Sequence, residues 1–86
     1  MYRVEYERAA SRELGKLPRQ IQARIVQAIE DLAEDPRPPS SRKMVGTLNG
    51  HRIRVGDYRV LYDVRDDVLI VVVIRVGKRD QVYRRF

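Results

Sequence analysis

The sequence predicts an α+β domain, ordered β-α-α-β-β-β, in which two N-terminal helices pack on one face of a small antiparallel sheet. Three observations predict this fold. A short stretch at the N-terminus alternates between apolar and charged residues, two segments before residue 36 have helical apolar spacing, and three strand-like runs follow residue 50. The 86 residues are enough for one domain, which we expect to span 1–86.

The first third of the chain predicts one strand and two helices. Residues 2–6 have the two-residue period of a half-buried strand, and residues 9–16 have helical spacing. Pro18 ends the first helix and suits the first turn of a second one, which we expect to end at Pro36. The apolar stripe of this second helix, at i, i+4, i+8 and i+11, consists of Ile21, Ile25, Ile29 and Leu32.

The remainder of the chain predicts a loop followed by strands. Three prolines between residues 36 and 39 and little periodicity indicate an extended loop over 37–49. Strand-like runs then occupy 53–55, 58–64 and 68–76. Gly56-Asp57 and Asp66-Asp67 supply the turns between these runs.

Composition and charge limit the function classes. The chain has no cysteine, which excludes a disulfide scaffold, a thiolate metal site and a thiol nucleophile, and is compatible with a reducing cytoplasm. The longest apolar run, 68–74, is far shorter than the ~20 residues that span a bilayer. Residues 1–36 contain six Lys/Arg and seven acids, whereas residues 37–86 contain twelve and five. This basic half favours a polyanionic partner such as nucleic acid, an anionic membrane or an acidic protein, although solubility alone is the alternative.

The Gly56-Asp57 turn predicts which side chains share a face of the hairpin. Glycine at the first central position suits a type II′ turn. The predicted cross-strand pairs are then Val55–Tyr58, Arg54–Arg59, Ile53–Val60 and Arg52–Leu61. Because side chains alternate between faces, one face is apolar and should receive the helices. The other face carries Arg52, Arg54, Arg59, Leu61 and Asp63.

Three arginines on one small face predict an anion site. Like charges directly opposite in a sheet are destabilising, so stability alone does not favour Arg54 facing Arg59. Guanidinium groups bind phosphate bidentately, although solvation or pairing with Asp63 would also account for them. Arg75 and the segment 77–79 bring further cations. Tyr83 near basic residues suits stacking on an unpaired RNA base, with packing at a strand edge as the alternative.

Several strings of residues resemble a known family. Residues 50–62 read GHRIRVGDYRVLY, residues 73–79 read VIRVGKR, and Val82-Tyr83 follows. Together with the opening strand, the Lys16-Leu17-Pro18 joint and the Asp35-Pro36 helix end, they resemble the RelE branch of the RelE/ParE toxins over the whole chain. The resemblance implies a cytoplasmic toxin of a type II toxin–antitoxin system, inhibited by a cognate antitoxin protein, that cuts mRNA in the ribosomal A site. Two alternatives stay open, namely a ParE-like inhibitor of DNA gyrase and a non-catalytic RNA-binding module.

The resemblance also implies roles for individual residues. RNA would be cleaved by attack of a ribose 2′-OH on its own phosphate, with no metal ion and no other cofactor. His51, the only histidine, is expected on the apolar face, away from the arginines. The general base therefore stays unassigned, because arginines stand where relatives often have lysines and a guanidinium is a poor base. The implied catalytic residues are Arg52, Arg54, Arg59, Arg79 and Tyr83, and the expected RNA-binding residues are Lys43, Lys78 and Arg84.

Overall fold

The computed structural model describes residues 1–79 as a five-stranded sheet with two helices packed on one of its faces. In chain order the elements are β1 (Arg3–Tyr6), α1 (Arg8–Gly15), α2 (Arg19–Asp31), β2 (Arg42–Lys43), β3 (Gly50–Val55), β4 (Tyr58–Arg65) and β5 (Ile70–Lys78). The strand order across the sheet is β1-β5-β4-β3-β2. The predicted fold class is confirmed, and β2 is an additional short strand within the expected loop.

The sheet is antiparallel except at one edge. Strand β1 pairs in parallel with β5, with Arg3 opposite Ile70. The backbone amide of Tyr2 donates to the carbonyl oxygen of Ala33 at 2.8 Å, which ties the start of the chain to the end of α2. The predicted antiparallel sheet is confirmed for β2 to β5, and β1 joins it in parallel. A short edge strand has no sequence pattern that distinguishes the two kinds of pairing.

The second helix starts where Pro18 predicts and ends earlier than expected. The carbonyl of Pro18 accepts a hydrogen bond from the backbone of Gln22 at 2.9 Å, as the first helical bond should. The helix ends at Asp31, and the amides of residues 32–34 bond to carbonyls three residues back. This tighter last turn keeps Leu32 fully buried in the core and leaves residues 34–36 outside the helix, so the expected end at Pro36 is wrong.

The hairpin between β3 and β4 has the predicted register. Val55 pairs with Tyr58 and Arg54 with Arg59. Gly56 has a φ of 60°, a conformation that glycine adopts without steric cost, while Asp57 keeps a negative φ, as in a type II′ turn. On the helix side of the sheet, the buried core includes Ile25, Ile29, Ile53, Val60, Tyr62, Val64, Val71 and Val73.

Strand β5 differs from its prediction at both ends and contains an irregularity. The turn before it spans residues 66–69, so the strand starts at Ile70 instead of Val68. Its register with β4 shifts, because Leu61 pairs with Arg75 whereas Tyr62 pairs with Val73. The extra residue is a β-bulge, which allows Val73 and Val76, three residues apart, both to join the core.

The bulge also redirects Arg75. Its guanidinium lies 3.1 Å from the carboxylate of Glu13 on α1, and the other oxygen of that carboxylate accepts a hydrogen bond from the amide of Val76 at 3.0 Å. Arg75 therefore pairs with the helix layer, and the expectation that it adds charge to the hairpin arginines is wrong. Over residues 1–79, neither helix has the length and apolar character needed to cross a membrane.

Candidate functional site

The face of the hairpin opposite the helices carries a cluster of arginines. Arg54 and Arg59 are direct cross-strand partners, and Arg52 lies on the same face of β3. Strand β2 adds Arg42, which pairs with Arg52. Arg79 follows directly after β5. We refer to Arg42, Arg52, Arg54, Arg59 and Arg79 as the arginine face.

The arginines of this face are close enough to perturb one another. The positive charge of Arg59, and next that of Arg52, lowers the pKa of Arg54 from its usual value, with smaller effects from burial, Arg79 and Arg42. An arginine side chain nevertheless stays protonated in proteins. The face therefore has a concentrated positive potential that a phosphate group would relieve.

Within residues 1–79, no carboxylate forms an ion pair with an arginine of the arginine face. The ion pairs of this region join Arg3 to Glu5, Arg37 to Asp66, Arg65 to Asp63 and Arg75 to Glu13. Asp63, the acid that could have paired with the hairpin arginines, lies 3.9 Å from Arg65 instead. Arg59 is only 6% exposed, and it has no ion-pair partner within residues 1–79.

A solvent-open groove of about 420 Å³ runs along one end of this face. Its lining residues are Arg54, Gly56, Asp57, Arg59, Lys78 and Arg79. Three elements contribute to it, since Arg54 comes from β3, Arg59 from β4 and Lys78 from β5. The pairing of β3, β4 and β5 fixes the relative backbone positions of Arg54, Arg59 and Lys78.

The remaining predicted site residues lie in different places. The ammonium of Lys43 donates to the carbonyls of Thr47 at 3.0 Å and Leu48 at 2.9 Å, so it stabilises the loop before β3. Lys43 pairs with His51 in the sheet, on the face opposite to Arg42. Its proposed contact with RNA stays a prediction. Tyr83 and Arg84 lie outside the described residues.

Sequence reasoning missed Arg42. It belongs to the arginine face because a two-residue strand pairs with β3 and places it opposite Arg52. Its guanidinium donates to the carbonyl of Ser41 at 3.1 Å, which holds the side chain near the strand. Two basic residues in a proline-rich loop have no alternating pattern, so no sequence signal for this strand was available.

His51 occupies the helix side of the sheet, as strand alternation predicts. It is 7% exposed, and its ring stacks on that of Tyr62 with a centroid distance of 5.8 Å. Its Nδ1 lies 3.0 Å from the carbonyl oxygen of Asn49. The imidazole is therefore separated from the arginine face by the sheet itself. In the part of the chain that the structure describes, no three His, Asp or Glu residues are grouped to hold a metal ion.

Comparison with known proteins identifies the family. Residues 4–83 match a protein-family model, which is described as "ParE toxin of type II toxin-antitoxin system, parDE". Toxin RelG of Mycobacterium tuberculosis is 39% identical over 88 residues, covering 98% of this chain and 98% of that protein. The mRNA interferase toxin RelE of Escherichia coli strain K12 is 28% identical over 82 residues, covering 93% of this chain and 85% of that protein.

The fold agrees with these sequence matches. The toxin in the crystal structure of the intact Escherichia coli RelBE toxin–antitoxin complex superposes with a TM-score of 0.82 at 28% identity, covering 91% of this chain and 96% of that chain. Two helices on one face of a small, mostly antiparallel sheet are therefore the fold of a class of small toxins. The chain belongs to the RelE/ParE superfamily of type II toxin–antitoxin toxins and is a RelE-like member of it.

Proposed function

We propose that this protein is an endoribonuclease that cuts mRNA in the ribosomal A site and thereby inhibits translation in the cytoplasm. The observation that carries the proposal is the facing pair Arg54–Arg59, which lines a groove with Lys78 and Arg79 and has no carboxylate partner within residues 1–79. A relative named as an mRNA interferase supports the choice of RNA as substrate.

The proposed reaction needs no metal ion. A ribose 2′-oxygen attacks the adjacent phosphorus, and the bond to the 5′-oxygen breaks, which leaves a 2′,3′-cyclic phosphate and a 5′-hydroxyl. Negative charge grows on the non-bridging oxygens in the transition state, and guanidinium groups already in place stabilise it without reorganisation. Arg59 and Arg79 would hold the scissile phosphate, and Arg52 and Arg54 the neighbouring backbone. Tyr83, outside the described residues, is proposed to stack on a nucleotide.

The proposed partners are RNA and a cognate antitoxin. The RelE-like toxin of Escherichia coli is found in a complex with its antitoxin. We infer that an antitoxin also binds this chain and blocks its activity. Because the arginine face is concentrated positive charge, acidic side chains would be the natural complement on such a partner.

Inhibition of DNA gyrase is a second candidate function, favoured by the description of the matching family model. A ParE-like toxin would act without cleaving RNA and without depending on the arginine face. The two candidates therefore predict different biochemical activities for the same purified chain.

One pair of assays on the wild-type chain tests the proposal. Ribosomes programmed with a defined mRNA are incubated with the toxin, and the RNA ends are mapped by primer extension. The buffer contains EDTA, and free Mg²⁺ is kept constant at a level that maintains intact ribosomes. Supercoiling by gyrase is measured in parallel. We expect cleavage within the A-site codon and unaffected supercoiling. Intact mRNA together with inhibited supercoiling would contradict the proposal and favour the gyrase alternative.

A further inference from the structure

The arginine face lacks an evident group that can remove the proton from a ribose 2′-OH. Guanidinium groups are poor bases at neutral pH. The only histidine, His51, is stacked on Tyr62 on the far side of the sheet. Among residues 1–79, the candidates for a proton acceptor are therefore the other residues that line the groove.

Asp57 is the single carboxylate among the described residues that line the groove. It occupies the second central position of the β3–β4 turn, between the strand ends that carry Arg54 and Arg59. The side chain is exposed, and within residues 1–79 it forms no ion pair. Its oxygens are therefore accessible to a ligand in the groove.

Within residues 1–79, the other charged groups that line the groove with Asp57 are all cationic. Arg54, Arg59, Lys78 and Arg79 line the same groove. From the helix layer, the guanidinium of Arg24 lies 3.7 Å from the position that a Cβ on Gly56 would occupy. An RNA phosphate drawn to these cations would bring its adjacent ribose hydroxyl near the carboxylate. The arrangement combines one acceptor with several groups that neutralise phosphate, which are the two functions that the proposed cleavage requires.

We propose that Asp57 is the general base of RNA cleavage, an inference that rests on the proposed function. The proton of the 2′-OH moves to a carboxylate oxygen of Asp57 as the 2′-oxygen forms its bond to phosphorus. The bond between phosphorus and the 5′-oxygen breaks with its electron pair on that oxygen, which takes a proton from water. The hydroxide left by this water receives the proton that Asp57 carries, so the carboxylate is regenerated.

A structural role of Asp57 in the turn makes a different prediction. Asn and Asp are both favoured in hairpin turns, so Asp57→Asn preserves the turn and removes only the proton acceptor. A negative charge in the groove also opposes phosphate binding. Loss of that charge should leave RNA affinity unchanged or increase it, whereas loss of a general base should slow the chemical step.

The test compares variants of the full chain in single-turnover cleavage of ribosome-bound mRNA. We expect Asp57→Asn to reduce the rate about 10²–10⁴-fold, the usual range for a general base. Affinity is measured on ribosomes programmed with an mRNA that has a 2′-deoxy nucleotide at the scissile position and therefore stays intact. On this substrate, Asp57→Asn should bind as tightly as the wild type or more tightly. Asp63→Asn, which removes a carboxylate paired with Arg65, is the matched control and should cleave like the wild type.

The outcomes separate this inference from the proposed function. Cleavage by Asp57→Asn at the wild-type rate would overturn the assignment of the base alone. A loss of affinity that accounts for the whole loss of rate would also overturn it, because it would indicate a binding or structural role. A wild-type chain that leaves the mRNA intact would overturn the proposed function, and the assignment of Asp57 with it.

Discussion

Arg54 on β3 and Arg59 on β4 stand directly opposite each other, and no carboxylate within residues 1–79 pairs with either. The positive charge of Arg59 is also the largest influence that lowers the pKa of Arg54. Repulsion between facing guanidinium groups works against the folded state, and bound phosphate removes it. An anion bound between the two guanidinium groups would therefore stabilise the hairpin.

Replacement of Arg54 should therefore stabilise the free protein. Arg54→Gln keeps a long side chain and removes the charge that faces Arg59, so we expect a higher midpoint of thermal unfolding at low ionic strength. The gain should vanish near 1 M salt, where charges are screened over about 3 Å. Arg12 is an exposed residue of α1, and Arg12→Gln is the control variant with the same net charge as Arg54→Gln. A lower midpoint for Arg54→Gln than for Arg12→Gln would contradict the prediction.

Removal of Arg42 should weaken RNA binding through electrostatics. This residue is the cation that β2 adds opposite Arg52. If Arg42 contacts a phosphate of single-stranded RNA, Arg42→Ala should make the negative slope of log affinity against log salt shallower by about 0.7. The measurement is a titration of labelled RNA with a 2′-deoxy cleavage site at several salt concentrations. An unchanged slope, equal to that of Arg12→Ala, would place Arg42 outside the RNA-binding surface.

The sequence predicted the hairpin well because local chemistry determines it. A Gly-Asp turn with glycine at its first central position sets one register, and alternation then assigns Arg52, Arg54 and Arg59 to one face. The structure has that register and those pairs. The facing arginines could therefore be found without tertiary information.

Other features depend on contacts that a local pattern does not encode. The bulge in β5 shifts the alternation by one residue, which sends Arg75 to Glu13 on α1. Strand β2 is defined by its pairing with β3, which no local pattern encodes, so Arg42 was missed. The early end of α2 coincides with a tighter last turn that keeps Leu32 in the core. In each case long-range packing overrides the local period.

The hydroxyl of Tyr62 should contribute measurably to stability. It donates a hydrogen bond to the carbonyl oxygen of Pro36 at 2.8 Å, and burial raises the pKa of Tyr62 to about 12, so it stays a donor at alkaline pH. Tyr62→Phe should lower the free energy of unfolding by about 1 kcal/mol in urea denaturation. Tyr58→Phe is the control, since the Tyr58 hydroxyl makes no hydrogen bond within residues 1–79, and it should have a smaller effect. Equal effects of the two changes would refute this role for Tyr62.

Acid should weaken the contact between the β4–β5 turn and the segment after α2. Arg37 donates to both carboxylate oxygens of Asp66, and the hydroxyl of Tyr2 donates to one of them. These hydrogen bonds, first that of Arg37 and then that of Tyr2, lower the pKa of Asp66. The stabilisation is therefore fully present above the unfolded-state pKa, about 3.9, and is lost as the pH falls through the lower folded-state value.

Urea unfolding between neutral and acid pH tests this linkage. The free energy of unfolding of the wild type should fall more steeply below about pH 4 than that of Asp66→Asn. Asp67→Asn, at the next position and without an ion pair in residues 1–79, should retain the wild-type slope. Parallel curves for the wild type and Asp66→Asn would show that the network does not stabilise the fold.

The most direct test of the arginine face is the rate of mRNA cleavage by Arg59→Ala compared with Arg12→Ala on programmed ribosomes. Both substitutions remove one positive charge, but only Arg59 lines the groove. Thermal unfolding of each variant verifies that it is folded. We expect Arg59→Ala to be slower by about 10²–10³-fold, as for the loss of one group that stabilises transition-state charge, and Arg12→Ala to remain close to the wild type. Equal rates for the two variants would contradict the central role of the arginine face.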